Sequence, residues 1–224
     1  MGQLFDPNSM AMKFLTRVYD MMILNIVFIV CSLPIVTIGA SMTALHYILL
    51  RMARDEERYI VKDFLKAFRE NFRQSTISFC VLLLSAGGII SGGSRLLFVA
   101  GIRGMVSAAA VVLLAVVWML LYLYVFVLTA RFENTVAQTF DNAIRLGAAN
   151  LPRTVSMMIV VVAFAILYYS LPVGMMIPLV FLFGFTVPGY IRALLYTPIL
   201  QELEPEEEFS EDMPVLQGIE AEEE

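Results

Sequence analysis

The sequence predicts an all-α fold, a polytopic bundle with five transmembrane spans, the first of them broken at Pro34 to Ala40. Three observations carry this. Of the 224 residues 59% are hydrophobic and 16% are charged, where a soluble domain has about 45 to 50% apolar and about 25% charged residues. The apolar residues fall in runs long enough to cross a bilayer. Charge is segregated as well: eleven of the twenty acids follow Gln201, and upstream of it fifteen Lys and Arg face nine acids, so a basic body carries an acidic tail.

Residues 1–20 form an N-terminal segment with an Asp6-Pro7-Asn8-Ser9 turn signal. Met10, Phe14, Leu15, Val18 and Met21 then follow at helical spacing, opposite Lys13, Arg17 and Asp20. This reads either as an interfacial helix or as an extension of the first span.

From Met21 to Leu50 thirty residues pass without an Asp, Glu, Lys or Arg. One straight helix of that length would measure about 45 Å against a hydrocarbon core of about 30 Å. Its tilt would be roughly 48°, beyond the observed range of about 0 to 40°. The run is therefore expected to break. Pro34 lacks an N–H and clashes with the carbonyl of Val30; four β-branched residues follow, Gly39 is available for positive φ, and Ser41 is a candidate N-cap for the next helix.

The first charged loop, residues 51–75, carries an apolar stripe of Phe64, Leu65, Phe68 and Phe72, with Lys66, Arg69, Glu70 and Arg73 on the other face. It reads as an amphipathic helix on the membrane surface. The second span is placed at Thr76 to Val99, with Gly88 and Gly92 as a packing notch for a neighbouring helix. The third runs from Met105 to Thr129. A second polar loop occupies residues 131–153, the fourth span Thr154 to Leu171, and the fifth Met175 to Ile191, interrupted at Pro178 and Pro188-Gly189. Residues 202–224 lack the apolar periodicity to bury anything and are expected to be disordered.

Orientation follows from Lys and Arg. With a kinked first span the two polar loops share a side with the C-terminus, and eleven basic residues stand there against four opposite. If Pro34 to Ala40 instead turns the chain back, the ratio is thirteen to two, but Met21 to Leu33 alone is too short to cross. The kinked span is the expectation, with the C-terminus and both polar loops cytoplasmic.

Two short matches raise an internal duplication against chance similarity. Ala67-Phe68-Arg69, with Asn71-Phe72-Arg73-Gln74-Ser75, parallels Ala143-Ile144-Arg145, with Asn150-Leu151-Pro152-Arg153-Thr154. Ser32-Leu33-Pro34 recurs as Ser170-Leu171-Pro172.

Asn25, Ser32-Leu33-Pro34-Ile35-Val36-Thr37-Ile38-Gly39, Ala44-Leu45 and Asp63-Phe64 with Phe68, Asn71-Phe72 and Gln74 together resemble the signature of the YesL-like bacterial integral membrane proteins. The resemblance covers about the first eighty residues. That family has no settled activity; its members resemble genomic neighbours of carbohydrate ABC importers and polysaccharide-degrading enzymes. The resemblance implies a role beside sugar uptake and supplies no active site. Asp141-Asn142-Ala143-Ile144-Arg145-Leu146-Gly147-Ala148 also looks like the coupling helix of ABC permeases, with an Asp in place of the usual Glu.

The candidate sites follow from these readings. A solute path or helix break would use Pro34, Thr37, Gly39, Ser41 and His46, the last being the one ionisable group well inside an apolar run. Against it stands a packed kink with a hydrogen-bonded neutral imidazole. Asn25 reads as interhelical glue. Partner docking would use Arg69, Asn71, Arg73, Arg145, Asn150 and Arg153, against a merely solvated surface.

One histidine and two separated cysteines exclude a disulfide framework and predict no metal and no cofactor. No enzyme motif is present, and no nucleic-acid partner is expected. The expected partners are the lipid bilayer and ABC importer permease or ATPase subunits, with a homo-oligomer left open. The preferred expectation is an accessory subunit of an oligosaccharide importer, the alternative a small transporter or channel using the broken first helix.

Overall fold

The computed structural model describes residues 10–56, 59–96 and 102–201. The Asp6-Pro7-Asn8-Ser9 signal and the acidic tail at 202–224 lie outside these. The described residues are helical throughout: α1 (Met10–Cys31), α2 (Ile38–Ala53), α3 (Ile60–Glu70), α4 (Phe72–Leu96), α5 (Ile102–Arg131), α6 (Val136–Ala149), α7 (Leu151–Ser170), α8 (Val173–Phe183) and α9 (Thr186–Gln201), with a 3-10 turn at Ile35–Thr37 between α1 and α2. Five single helices, α1, α2, α4, α5 and α7, are long and apolar enough to cross a membrane; α8 and α9, bent by 48° at their junction, make a sixth if taken as one span. The protein is thus an all-α bundle with five or six helices of membrane-spanning character.

The first apolar run is not one kinked span. Its break is the turn of a helical hairpin: Arg17, early in α1, pairs with Asp55, just past the end of α2, so the two helices run antiparallel. The expectation failed on length. The helix begins at Met10 rather than Met21, and 22 residues rise about 33 Å, enough to match a hydrocarbon core of about 30 Å. The amphipathic start is therefore the extension of the first span. Pro34 acts as expected in one respect, since α1 ends three residues before it.

Two further readings change. The interruption near the C-terminus falls at Gly184-Phe185, not at Pro178 or Pro188-Gly189. Pro188 is the third residue of α9, in a first turn whose N–H groups have no helical acceptor, so it breaks nothing. And α3 does not lay its stripe on lipid. Arg51 of α2 bonds Asp63 at 2.8 Å, and Ile60, Phe64 and Ala67 are buried. The helix folds back along α2 and turns its apolar face to the protein, leaving Lys62, Lys66, Arg69 and Glu70 exposed.

The bundle is built from two like hairpins. At Asn71 the backbone keeps helical bonds on both sides, Asn71 N–H to Ala67 O at 3.1 Å and Ser75 N–H to Asn71 O at 2.9 Å, so α3 and α4 form one kinked rod. Asn150 joins α6 to α7 in the same way, to Leu146 O at 3.1 Å and from Thr154 N–H at 2.9 Å. Each rod returns along a preceding helix, α3–α4 on α2 and α6–α7 on α5. The core lies where α2, the C-terminal part of α5 and α9 meet, around Leu45, Ile48, Leu49, Tyr124, Phe126 and Tyr196.

Candidate functional site

Three polar features stand out, and the nearest to the charged loops is a cleft of about 670 Å³ between the two kinked rods, lined by Glu70, Asn71, Gln74, Arg131, Glu133 and Asn134 among others. Gln74 Nε2 donates to Thr139 Oγ1 at 3.1 Å across it, which ties the start of α4 to α6. A capping box at Thr135 and Gln138 fixes the start of α6. Arg69, Arg73 and Arg145 are exposed, and Arg145 pairs with Asp141 at 2.8 Å along its own helix. Asn71 and Asn150 have a structural duty instead: each side-chain amide donates to the carbonyl four residues back, Ala67 O at 3.0 Å and Leu146 O at 3.3 Å, at the kink. Arg153 is half-buried beside the second kink.

The second feature joins α1 to the α8–α9 break. The Asn25 amide donates to Val180 O at 2.9 Å and Phe181 O at 2.7 Å, while its Oδ1 accepts from Phe185 N–H at 2.9 Å and Thr186 N–H at 3.2 Å. One side chain thus satisfies the last carbonyls of α8 and the first N–H groups of α9. Such groups cannot be left bare in lipid. The reading of Asn25 as glue is right in kind; that it clasps a broken helix could not be read from its position.

The third feature is a buried polar layer. His46 in α2 is buried, with Nδ1 unpartnered. Its ring meets Tyr196 edge-on at 6.3 Å. Tyr196 Oη donates to Leu123 O at 2.6 Å, and its ring packs on Tyr124, whose hydroxyl shares a 2.8 Å bond with Thr154. Arg192, one turn before Tyr196, is only 6% exposed and sends Nε back to Pro188 O at 3.2 Å. The expected fifth span stops at Ile191, one residue before it. A signal was there: it is the one charged residue between Arg153 and Glu202.

The candidate path at the first break does not converge. Pro34 is exposed, and the Thr37 hydroxyl serves the turn itself, 2.6 Å from both Cys31 O and Pro34 O. Ser41 is not the N-cap, because α2 begins at Ile38; it is buried in the second turn with Oγ unpartnered. Gly39 sits inside the helix and is needed for close approach rather than positive φ: a Cβ there would overlap the Ser75 carbonyl and come within 2.7 Å of Phe79 Cβ. Of the five residues, His46 alone joins the deep layer. Gly88 and Gly92 face away from the rest of the chain, since an added Cβ meets nothing within 4 Å, whereas Gly93 is the glycine that touches Val111.

Residues 21–91, about a third of the chain, match a family model described as "Protein of unknown function, DUF624". The match runs from α1 through α2 and α3 into α4, and the YesL-like resemblance is consistent with it. No curated protein and no solved structure matches the chain.

Proposed function

We propose that this multi-pass membrane protein is a non-enzymatic accessory subunit that docks, through its two kinked rods, on a carbohydrate ABC importer of the cell membrane. The observation that carries the reading is the convergence of α3 and α6 on one polar cleft, lined by Glu70, Asn71, Gln74 and Gln138 and bridged by Gln74 and Thr139; Arg69 and Arg73 are exposed next to these residues in sequence, and Arg145 lines an adjoining cleft that shares Asn134. Exposed charge around an amide-rich recess suits a polar partner surface. Because Arg17 sits with Asp55, the start of α1 shares an end with the first loop. By chain position twelve of the fifteen Lys and Arg then fall at that end, Arg95 and Arg103 at the other, and Arg192 within α9. Positive-inside bias makes the rich end cytoplasmic, which is where an importer's ATPase stands.

The test is affinity purification of the tagged protein from its own membranes in mild detergent. Importer permease or ATPase subunits in near-equal amount support the reading. Recovery of the protein alone removes it.

A stand-alone transporter is the second reading, favoured by the interrupted α8–α9 segment that Asn25 clasps, since interrupted helices form solute sites in transporters. Uptake of labelled oligosaccharide by vesicles containing this protein alone would establish it in place of the accessory role.

A further inference from the structure

The buried layer holds a charge with no counter-charge. Arg192 is nine-tenths buried, and no carboxylate pairs with it among the described residues. The helices α9 packs against most, α2 and α7, carry no Asp or Glu at all. Its Nε is taken by Pro188 O. The two Nη groups keep four N–H donors for which these residues provide no acceptor. Neither Nη is fully sealed from the surroundings, and cations inside membrane bundles pair with anions or carbonyls or mark a ligand path.

The imidazole beside it points the same way. His46 lies within the electrostatic reach of Arg192, and its Nδ1 is fully buried without a partner. Tyr196 lies one helical turn after Arg192 on α9 and edge-on to His46 at 6.3 Å. Its hydroxyl proton is committed to Leu123 O, so it does not serve either neighbour as a donor. Gly189, one turn before Arg192, packs on Leu49, one turn after His46: an added Cβ would come within 2.5 Å of Leu49 Cδ1.

We propose that Arg192 and His46 form a binding site for a single anionic group, a carboxylate or a phosphate, held inside the bundle between α2 and α9. The guanidinium fork matches two oxygens of either group, and Nδ1–H of His46 adds a third donor. A lipid headgroup and a small soluble anion share this chemistry. The site is independent of the docking cleft, so its failure leaves the importer reading untouched.

The experiment uses the full chain, purified and washed free of loosely held lipid. Retained phospholipid is counted by mass spectrometry. Melting temperature is then followed on adding phosphatidylglycerol, phosphatidylcholine or inorganic phosphate. The wild type is expected to retain about one anionic phospholipid, or to melt higher with phosphatidylglycerol or phosphate, since a ligand of the folded state stabilises it by mass action. A response to phosphatidylglycerol alone assigns a headgroup, and a response to phosphate a soluble anion. Arg192→Gln should weaken that binding by roughly ten- to a hundredfold, as expected for a lost charge-assisted contact, while Arg95→Gln at the exposed end of α4 leaves it unchanged. Should Arg192→Gln fail to fold, Arg192→Lys decides: it keeps the charge, loses the fork, and should bind about tenfold more weakly. No retained lipid and no shift with any anion in the wild type would overturn the site, as would full binding in the Arg192 variants.

Discussion

The hairpin of α2 with α3–α4 and that of α5 with α6–α7 follow one plan and end in different surroundings. In each, a long helix is followed by a short amphipathic helix folded back along it, an Asn at a kink, and a rod that continues onward. In each, a hydroxyl one turn after the Asn bonds the preceding long helix: Ser75 to Thr43 at 2.7 Å, Thr154 to Tyr124 at 2.8 Å. Yet 61% of the apolar window of α2 is buried in protein against 33% in α5, whose first half turns to lipid. The difference comes from outside the plan. α1 and α9 close over α2, whereas α4 and α2, which pack on α5, leave its first half exposed. Local sequence makes the hairpin, and the flanking helices decide which copy becomes the core.

The largest effect that could break this comparison is at the glycine contacts. Gly39→Leu drives a side chain into the Ser75 carbonyl, which cannot rotate away. We expect a loss of about 3 kcal/mol, read from thermal melts in detergent. Gly147→Ala in the second hairpin meets only the Leu120 side chain, 2.7 Å away at Cγ, and should cost about 1 kcal/mol. Equal losses would mean that the two hairpins are packed alike.

Asn25→Ala tests the flank. It strips the partner from Phe181 O, Phe185 N–H and Thr186 N–H at the α8–α9 break, while Val180 O keeps Gly184 N–H, and should cost about 2 to 3 kcal/mol. The amides of Phe185 and Thr186 should then exchange with solvent far faster, while Ser75 is unaffected. Uniform acceleration across the bundle would contradict a local clasp.

Smaller and paired are Thr43→Val and Tyr124→Phe, which remove the equivalent hydroxyl bond from each hairpin. Each should cost about 0.6 to 1.5 kcal/mol. The shared plan predicts similar values, and a ratio above threefold would argue that the resemblance is superficial. Smallest is Arg145→Gln, which breaks an exposed pair with Asp141 and should change stability by less than about 0.5 kcal/mol. The same change should reduce importer recovery, and unchanged recovery would remove Arg145 from the docking face.

Much of this was readable along the chain. The apolar spans, their order and the break at Pro34 follow from local patterns that act over a few residues; Asn71 and Asn150 read only as docking residues, and their kinks are visible in the backbone alone. The first span was misjudged because the amphipathic stretch from Met10 to Asp20 reads equally as a surface helix; only the Arg17–Asp55 contact shows that the chain turns back. The stripe on α3 shows that the helix covers an apolar surface, but lipid and protein are the same to a hydrophobic pattern. His46 stood out as an ionisable group in an apolar run. Arg192 did not, since a cation near a span end is ordinary until its burial is known.

Composition, periodicity and proline act locally, and they are enough for the all-α class and the membrane-spanning character of the helices. Only the packed chain shows that α2 is the core, that Asn25 closes the α8–α9 break and that Arg192 is buried. Those depend on contacts between residues as much as 161 positions apart, a separation across which no sequence period carries information.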